Sequence, residues 1–240
     1  MFNSIYKNKK VIVTGHTGFK GSWLTTWLLN LGARVVGISK DIPTCPSMFT
    51  ELKLEEKIVH HLEDIRDLNK MTEIISNEKP EFLFHLAAQP IVSTSYSDPI
   101  ETISSNVMGT ANILESLKIS NHECTAIIIT SDKCYKNVEV KRGYKAYDNI
   151  EQVWGYKEDD KMGGKDIYSG SKGAAELVIK SYFHSFFKNP NSNVKLAIGR
   201  AGNVIGGGDW AQDRIVVDCM EAWSDNKTVE IRSPEATRPW

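Results

Sequence analysis

Lys10-Val11-Ile12-Val13-Thr14-Gly15-His16-Thr17-Gly18-Phe19-Lys20-Gly21-Ser22-Trp23 is the stretch that decides the fold. Residues 10–14 are a short, β-branched apolar run ending on glycine, which predicts a buried strand. Residues 19–31 carry Trp23, Leu24, Trp27, Leu28 and Leu31 at helical spacing, with Gly32 as the stop. Between strand and helix lies G-x-x-G-x-x-G, in the context a dinucleotide-binding loop requires. Gly15 permits the tight turn, Gly18 lets a pyrophosphate approach the backbone, and Gly21 lets the helix pack close to the sheet. The free N–H groups and positive dipole at the helix start then favour phosphate. Thr17 and Phe19 complete the predicted cofactor-binding set of this loop.

Outward from this loop, strands and helices alternate. Strands are predicted at residues 34–38, 58–61 (weakly), 82–86, 126–130 and 194–198, and helices at 68–76, 100–119 and 168–187. Strands that read as continuous apolar runs are buried on both faces, as in parallel sheets. Alternation with helices makes the connections right-handed crossovers, so the expected fold is α/β, a doubly wound parallel sheet of Rossmann-like type. Residues 136–165, rich in glycine and lysine, are expected to form an irregular loop near the site. Residues 215–223 look helical and 228–231 strand-like, with nothing following to cover that strand. The expected division is a dinucleotide domain over 1–200 and the start of a smaller substrate domain, cut short, over 201–240.

The 240 residues hold 29 basic and 30 acidic side chains, a net charge of −1, which argues against a nucleic-acid or anionic-membrane surface. No run reaches the roughly 18 apolar residues of a membrane-spanning helix. The polar, basic start lacks a signal peptide's apolar stretch, so a cytosolic protein is expected. Cys45, Cys124, Cys134 and Cys219 lie far apart, as reduced thiols do, and the six histidines include no H-x-x-x-H pair. No metal is expected.

In an open α/β sheet the ligand sits beyond the carboxyl ends of the strands. Asp41, after the second strand, could accept hydrogen bonds from a ribose 2′-hydroxyl and favour NAD; Lys40 beside it could instead meet the 2′-phosphate of NADP. Asp64-Ile65, after the third strand, could meet the adenine, or Asp64 could cap the next helix. The fifth strand ends in Thr130-Ser131-Asp132-Lys133-Cys134-Tyr135, rich in acids, bases and donors. Tyr168-Ser169-Gly170-Ser171-Lys172 places a phenol and an ammonium one helical turn apart, and a nearby cation should favour tyrosinate.

Gly15-x-x-Gly18-x-x-Gly21, Ala87-Ala88-Gln89, Asn106-Val107-Met108-Gly109-Thr110 and Tyr168-x-x-x-Lys172 resemble the extended short-chain dehydrogenase/reductases. His16 to Trp23, Thr130 to Tyr135 and Arg200-Ala201-Gly202-Asn203-Val204-Ile205-Gly206-Gly207-Gly208-Asp209-Trp210 resemble one branch, the CDP-glucose 4,6-dehydratases. The likeness runs to Arg238-Pro239-Trp240, where that family continues into a sugar-nucleotide domain. It therefore implies an N-terminal piece that binds NAD with little turnover of its own.

The resemblance implies a hydro-lyase of deoxysugar biosynthesis. Tightly held NAD takes a hydride from C4 of CDP-glucose, which acidifies the C5 proton. Water leaves from C6, and the hydride returns to C6 as C5 is protonated, giving CDP-4-keto-6-deoxyglucose. By the same resemblance Tyr168, supported by Lys172, removes the 4-hydroxyl proton and Ser131 hydrogen-bonds that oxygen. Asp132 protonates the departing C6 hydroxyl, and Lys133 takes the C5 proton. Ala87, Ala88, Gln89, Asn106, Tyr168 and Lys172 fall at cofactor-binding positions, and Asn203 and Arg238 at substrate positions. A homodimer through two helices on one face of the sheet is also implied. The alternatives are a sugar-nucleotide 4-epimerase or reductase, which would not need Asp132-Lys133, and a non-catalytic NAD-binding regulator, which would lack a member of the serine, tyrosine and lysine set.

Overall fold

A computed structural model describes residues 2–137 and 156–234. Strands β1 (Lys10–Thr14), β2 (Arg34–Ser39), β3 (Val59–Leu62), β4 (Phe82–His85), β5 (Cys124–Ser131) and β6 (Val194–Ala201) form one sheet in the order β3-β2-β1-β4-β5-β6. Every pairing is parallel. The chain winds outward from β1 to β3, returns to β4 beside β1, and winds outward again to β6. That reversal between β1 and β4 leaves a crevice at the carboxyl edge of the sheet, where ligands of such folds sit.

The crossovers carry α1 (Phe19–Asn30), α2 (Met48–Glu51), α3 (Leu68–Glu78), α4 (Val92–Ser97), α5 (Pro99–Ile103), α6 (Gly109–Ser120) and α7 (Ile167–Tyr182); α8 (Ile215–Ser224) follows β6. Successive residues of β1 point to opposite faces, and both faces are covered. Val11 and Val13 pack with Val35 and Leu28 on the α1 side. Ile12 joins Val36, Leu83 and Ile128 beneath Met71 of α3 and Leu114 of α6 on the other. This is why the strand reads as an unbroken apolar run. A fully buried side chain of this size contributes about 1.5–3 kcal/mol, so Ile12, at 0% exposure, anchors both neighbouring strands.

The helices depart from the sequence reading in instructive ways. The helix predicted over 100–119 is α5 and α6 joined by a π turn at Ser104–Met108, and the one predicted over 168–187 is α7 ending in a π turn at Phe183–Phe187. A π turn inserts one residue and re-aims the side chains within it; Asn106 lies in the first. Asp64 does not cap α3, because Asp67 does so, accepting from Lys70 N at 3.0 Å. Residues 228–231 form no strand, since no described strand lies beside them to complete a ladder. Of the irregular segment expected over 136–165, residues 138–155 lie outside the described residues. Its described ends meet: Tyr135 bridges Met162, and Lys136 N donates to Lys161 O at 2.8 Å. Among the described residues no helix is long and apolar enough to cross a membrane, and the four cysteines are free.

Candidate active site

Two of the three loop glycines sit where only glycine fits. Gly15 sits at φ +72°, where a Cβ would lie 2.7 Å from Ala87 N; a Cβ on Gly21 would lie 2.0 Å from Gly15 O. Neither position admits a side chain. A Cβ on Gly18 would meet only Gly15 O, at 3.5 Å, so this glycine faces open space. Gly18 also caps α1 without a side-chain hydrogen bond, whereas Asp67, Asp98 and Asp166 cap α3, α5 and α7. The first amides of α1 are thus left for a ligand, and this cradle fits a diphosphate. Thr17 braces it from within, its hydroxyl donating to Asp41 O at 2.7 Å.

His16 stabilises the loop from below. Its ring is fully buried against Gly37, 2.7 Å from His60 Nδ1 and 3.0 Å from Ser39 Oγ. Burial, reinforced by His60, lowers its pKa to about 4.

Beyond β2, Asp41 is exposed. Lys40 is engaged elsewhere, donating to Glu101 at 2.8 Å. Glu101 also pairs with Arg66, which grips both carboxylate oxygens of Asp64 at 2.6–3.1 Å. That grip holds the Asp64 carboxyl below its usual range. Ile65 is buried against Gly109, and Asn112 Nδ2 donates to the carbonyls of Ile65 and Arg66.

Gln89 and Asn106 spend their side chains within the chain. Asn106 Oδ1 accepts from Gln89 N at 2.8 Å, while its Nδ2 donates to Gln89 O and to Ser171 Oγ at 2.9 Å. Gln89 Nε2 donates to Ile91 O and Thr102 Oγ1, and its Oε1 accepts from Ile91 N. The two side chains fasten the Ala87-Ala88-Gln89 loop to the π turn and to α7, so they shape the site rather than face into it.

A cleft of about 1030 Å³ opens at the carboxyl ends of β4, β5 and β6, and it brings together Ser131, Asp132, Lys133, Tyr168, Lys172 and Asn203, with Phe19 and Ala88 also in its lining. Ser131 ends β5, and the single turn Asp132–Cys134 follows. Ser131 Oγ accepts from Lys133 N at 3.2 Å and donates to Asp132 Oδ1 at 3.0 Å; Lys133 Nζ donates to Asp132 Oδ2 at 2.9 Å. Ser131 also lies beside the Tyr168 phenol, where its hydroxyl favours the phenolate. A hydroxyl has one proton, so Ser131 can donate to Asp132 or to a Tyr168 phenolate but not to both at once. Arg238 lies outside the described residues.

Lys172 Nζ stands 6.0 Å from the centre of the Tyr168 ring. Both side chains are buried, and burial dominates both. It lowers the Lys172 ammonium to about 8, helped by the charge of Lys20, and it raises the Tyr168 phenol above its ordinary value. In this geometry desolvation of the phenolate outweighs the neighbours that favour it, and the phenol is held above its ordinary value.

Sequence reasoning missed several charged groups in the cleft, among them Lys20, Asp209 and Arg214. Desolvation between the cleft walls, and then Arg214, push the Lys20 ammonium down, while Asp209 and Asp132 pull it up. Arg214 Nε is buried without a hydrogen-bond partner, 4.0 Å from Asp209. Lys20 was detectable: a lysine in the first turn of a helix opposes the dipole, which calls for a reason.

Residues 12–196 match the sequence profile of a family described as GDP-mannose 4,6 dehydratase. The chain belongs to that family. Among curated members of known sequence, the CDP-glucose 4,6-dehydratase of Salmonella typhimurium is 49% identical over 240 residues, covering 99% of this chain and 64% of the relative. The CDP-paratose 2-epimerase of Salmonella typhi is 29% identical, covering 93% and 65%. The chain thus spans just under two thirds of the length of these relatives. The fold is shared with a UDP-glucose 4-epimerase from Thermotoga maritima, at TM-score 0.76 and 21% identity, covering 92% of this chain and 65% of that one. It is shared too with a dTDP-glucose 4,6-dehydratase from Streptomyces venezuelae crystallised with NAD, at TM-score 0.75 and 17% identity, covering 91% and 63%.

Proposed function

We propose that this chain carries the oxidation and elimination machinery of a CDP-glucose 4,6-dehydratase, which converts CDP-glucose to CDP-4-keto-6-deoxyglucose and water. The observation that carries the reading is the single cleft in which the Asp132–Lys133 turn and the Tyr168–Lys172 pair meet. The 49% identity to a CDP-glucose 4,6-dehydratase supports the choice of base. Residues 1–200 are assigned to the dinucleotide and 201–240 to the start of the sugar-nucleotide domain.

The glycine cradle and the α1 amides would hold the diphosphate of NAD, and Asp41 its ribose. The pairing of Lys40 with Glu101 supports NAD over NADP, because it occupies the one cation next to Asp41. Asp64, Ile65 and the Ala87–Gln89 loop would border the dinucleotide, with Asn106 holding that loop in place. When bound, NAD supplies a reversible hydride acceptor. Tyr168 takes the proton of the C4 hydroxyl while Ser131 hydrogen-bonds the same oxygen. Lys133 Nζ first passes a proton along its 2.9 Å hydrogen bond to Asp132, and the neutral amine then takes the C5 proton and later returns it to C5. Asp132 gives its proton to the C6 hydroxyl, which leaves as water. Asn203 would contact the sugar nucleotide.

Incubating the intact protein with CDP-glucose and NAD should yield a 4-keto sugar, detected by its absorbance in alkali. An epimerised CDP-sugar with no keto product would overturn the reading and favour a 4-epimerase.

A homodimer through α5, α6 and α7 is supported by the exposure of Ile100, Met108 and Leu177, at 73%, 54% and 57%. Leu177→Glu should convert a dimer to a monomer in sedimentation; an unchanged mass would count against this face. The free thiols favour a cytosolic location.

A further inference from the structure

Glu176 is completely buried, yet the chemistry assigned above makes no use of it. A charge removed from water costs several kcal/mol unless it is fully partnered, so its partners show what it does. Oε1 accepts from the Thr130 hydroxyl and from Arg200 Nε, both at 2.7 Å, and Oε2 accepts from Arg200 Nη2 at 2.5 Å. The Cys134 thiol lies close enough to help hold the Glu176 carboxyl down. Burial, with the Glu176 charge behind it, pushes that thiol up to about 12, so it stays protonated and remains a donor.

The placement of these partners is the informative part. Thr130 immediately precedes Ser131 on β5, and Cys134 immediately follows Lys133. Asp132 and Lys133 therefore lie between Thr130, hydrogen-bonded to the carboxylate, and Cys134, which neighbours it. That carboxylate follows Lys172 by one helical turn and Tyr168 by two, on the same face of α7. Arg200, from β6, completes the clamp: its guanidinium lies 4.5 Å from the centre of the Tyr135 ring and donates to Glu158 O at 3.2 Å. Tyr135 in turn stacks on Tyr156 at 4.6 Å.

We propose that Glu176 is a positioning residue for the elimination step: it fixes the Asp132–Lys133 turn relative to Tyr168 and Lys172, so that both pairs address one hexose. This rests on the dehydratase reading. A displacement of about 1 Å at such a site can cost about a hundredfold in rate. Oxidation at C4 uses Tyr168, Lys172 and Ser131, which remain on α7 and β5 when the carboxylate is changed. Elimination uses the turn, which does not stay in place without its tethers.

The test is Glu176→Gln in the intact protein with CDP-glucose and NAD, read beside a second variant, Thr130→Val with Cys134→Ala. The second keeps the Glu176–Arg200 ion pair and deletes only the two tethers to the turn. In both, keto-sugar formation should fall by about a hundredfold at unchanged KM while reduced dinucleotide accumulates during turnover. Parallel loss of oxidation and elimination in a folded variant, or a lowered melting temperature alone, would show that Glu176 only stabilises the fold and would overturn the proposal. If Glu176→Gln does not fold, the second variant decides by the same criteria. Wild-type protein that makes no keto sugar overturns the dehydratase reading and this inference together; keto sugar with parallel loss in the variants overturns this inference alone.

Discussion

The Thr14 hydroxyl donates its proton to Nδ1 of His85, 2.7 Å away. Donor counting fixes the direction. Thr14 Oγ1 already accepts from the backbone N–H groups of Leu86 and Ala87, so its lone pairs are taken. His85 must then carry its proton on Nε2, which it donates to Thr110 Oγ1 at 3.1 Å; Thr110 in turn donates to Asn106 O at 2.8 Å. The chain of bonds runs from the glycine loop to the π turn and requires a neutral imidazole throughout.

Acid lability follows. Burial, with the Lys172 charge adding to it, lowers the His85 pKa to about 3, and His16 lies at about 4. Both folded values are below the unfolded value of 6.5, so the unfolded chain takes up protons that the folded chain refuses. The stability these residues hold above about pH 6.5 is lost as pH falls, by up to about 1.4 kcal/mol per pH unit for each. Melting temperatures measured from about pH 7 down to about pH 5 should therefore decline, and His85→Asn should flatten that decline by about half. An unchanged slope in His85→Asn would show that His85 does not drive it.

Lys172 makes the opposite contribution. Its folded pKa of about 8 lies below the unfolded 10.5, so the buried ammonium destabilises the fold below about pH 8, and stability is regained as pH rises from there toward 10.5. The difference corresponds to a cost on the order of 3 kcal/mol at neutral pH. Lys172→Met should raise the neutral-pH melting temperature while abolishing turnover. A lower melting temperature would mean that the ammonium is compensated within the fold.

The glycine loop separates folding from binding. Gly18→Ala adds a methyl group that meets only Gly15 O at an ordinary distance, so its cost should be that of a poorer helix cap, about 1 kcal/mol. The same methyl group occupies the open face of the cradle, and affinity for NAD should fall by on the order of tenfold or more. Gly21→Ala drives its methyl group onto a backbone carbonyl and should cost more than about 4 kcal/mol. Calorimetric titration with NAD, beside thermal melts, distinguishes the two; a Gly18→Ala protein that binds normally would remove the loop from the phosphate site.

The sheet was legible because Ile12 and its neighbours alternate between two covered faces, a purely local pattern. Tyr168 and Lys172 were legible for the same reason, being one helical turn apart. What was hidden depends on pairs distant in the chain. Nothing near Asn106 in sequence announces Ser171, and nothing near Glu176 announces Arg200. The π turn at Ser104–Met108 was missed because one inserted residue barely disturbs the apolar spacing of a helix. Asp64 and Asp67 both precede α3, and which of them caps it is settled by Arg66, whose side chain claims Asp64. The strand expected at 228–231 failed because β-branched residues suit a strand but do not supply its partner.

Tyr168 carries the most direct test of the oxidation step. Its phenol is buried beside Ser131 and raised by desolvation, so removing the oxygen leaves the packed ring in place and takes away only the proton acceptor. Tyr168→Phe should retain NAD affinity, since the diphosphate cradle lies on β1 and α1. C4 oxidation should fall by about 100-fold to 10,000-fold, the usual contribution of a positioned general base. Because oxidation precedes elimination, neither reduced dinucleotide nor keto sugar should appear, in contrast to the build-up expected for Glu176→Gln. Titration with NAD and absorbance during exposure to CDP-glucose provide both readouts. Reduced dinucleotide formed at the wild-type rate by Tyr168→Phe would assign the C4 proton to another group, and Ser131, which lies beside it, would be the next residue to replace.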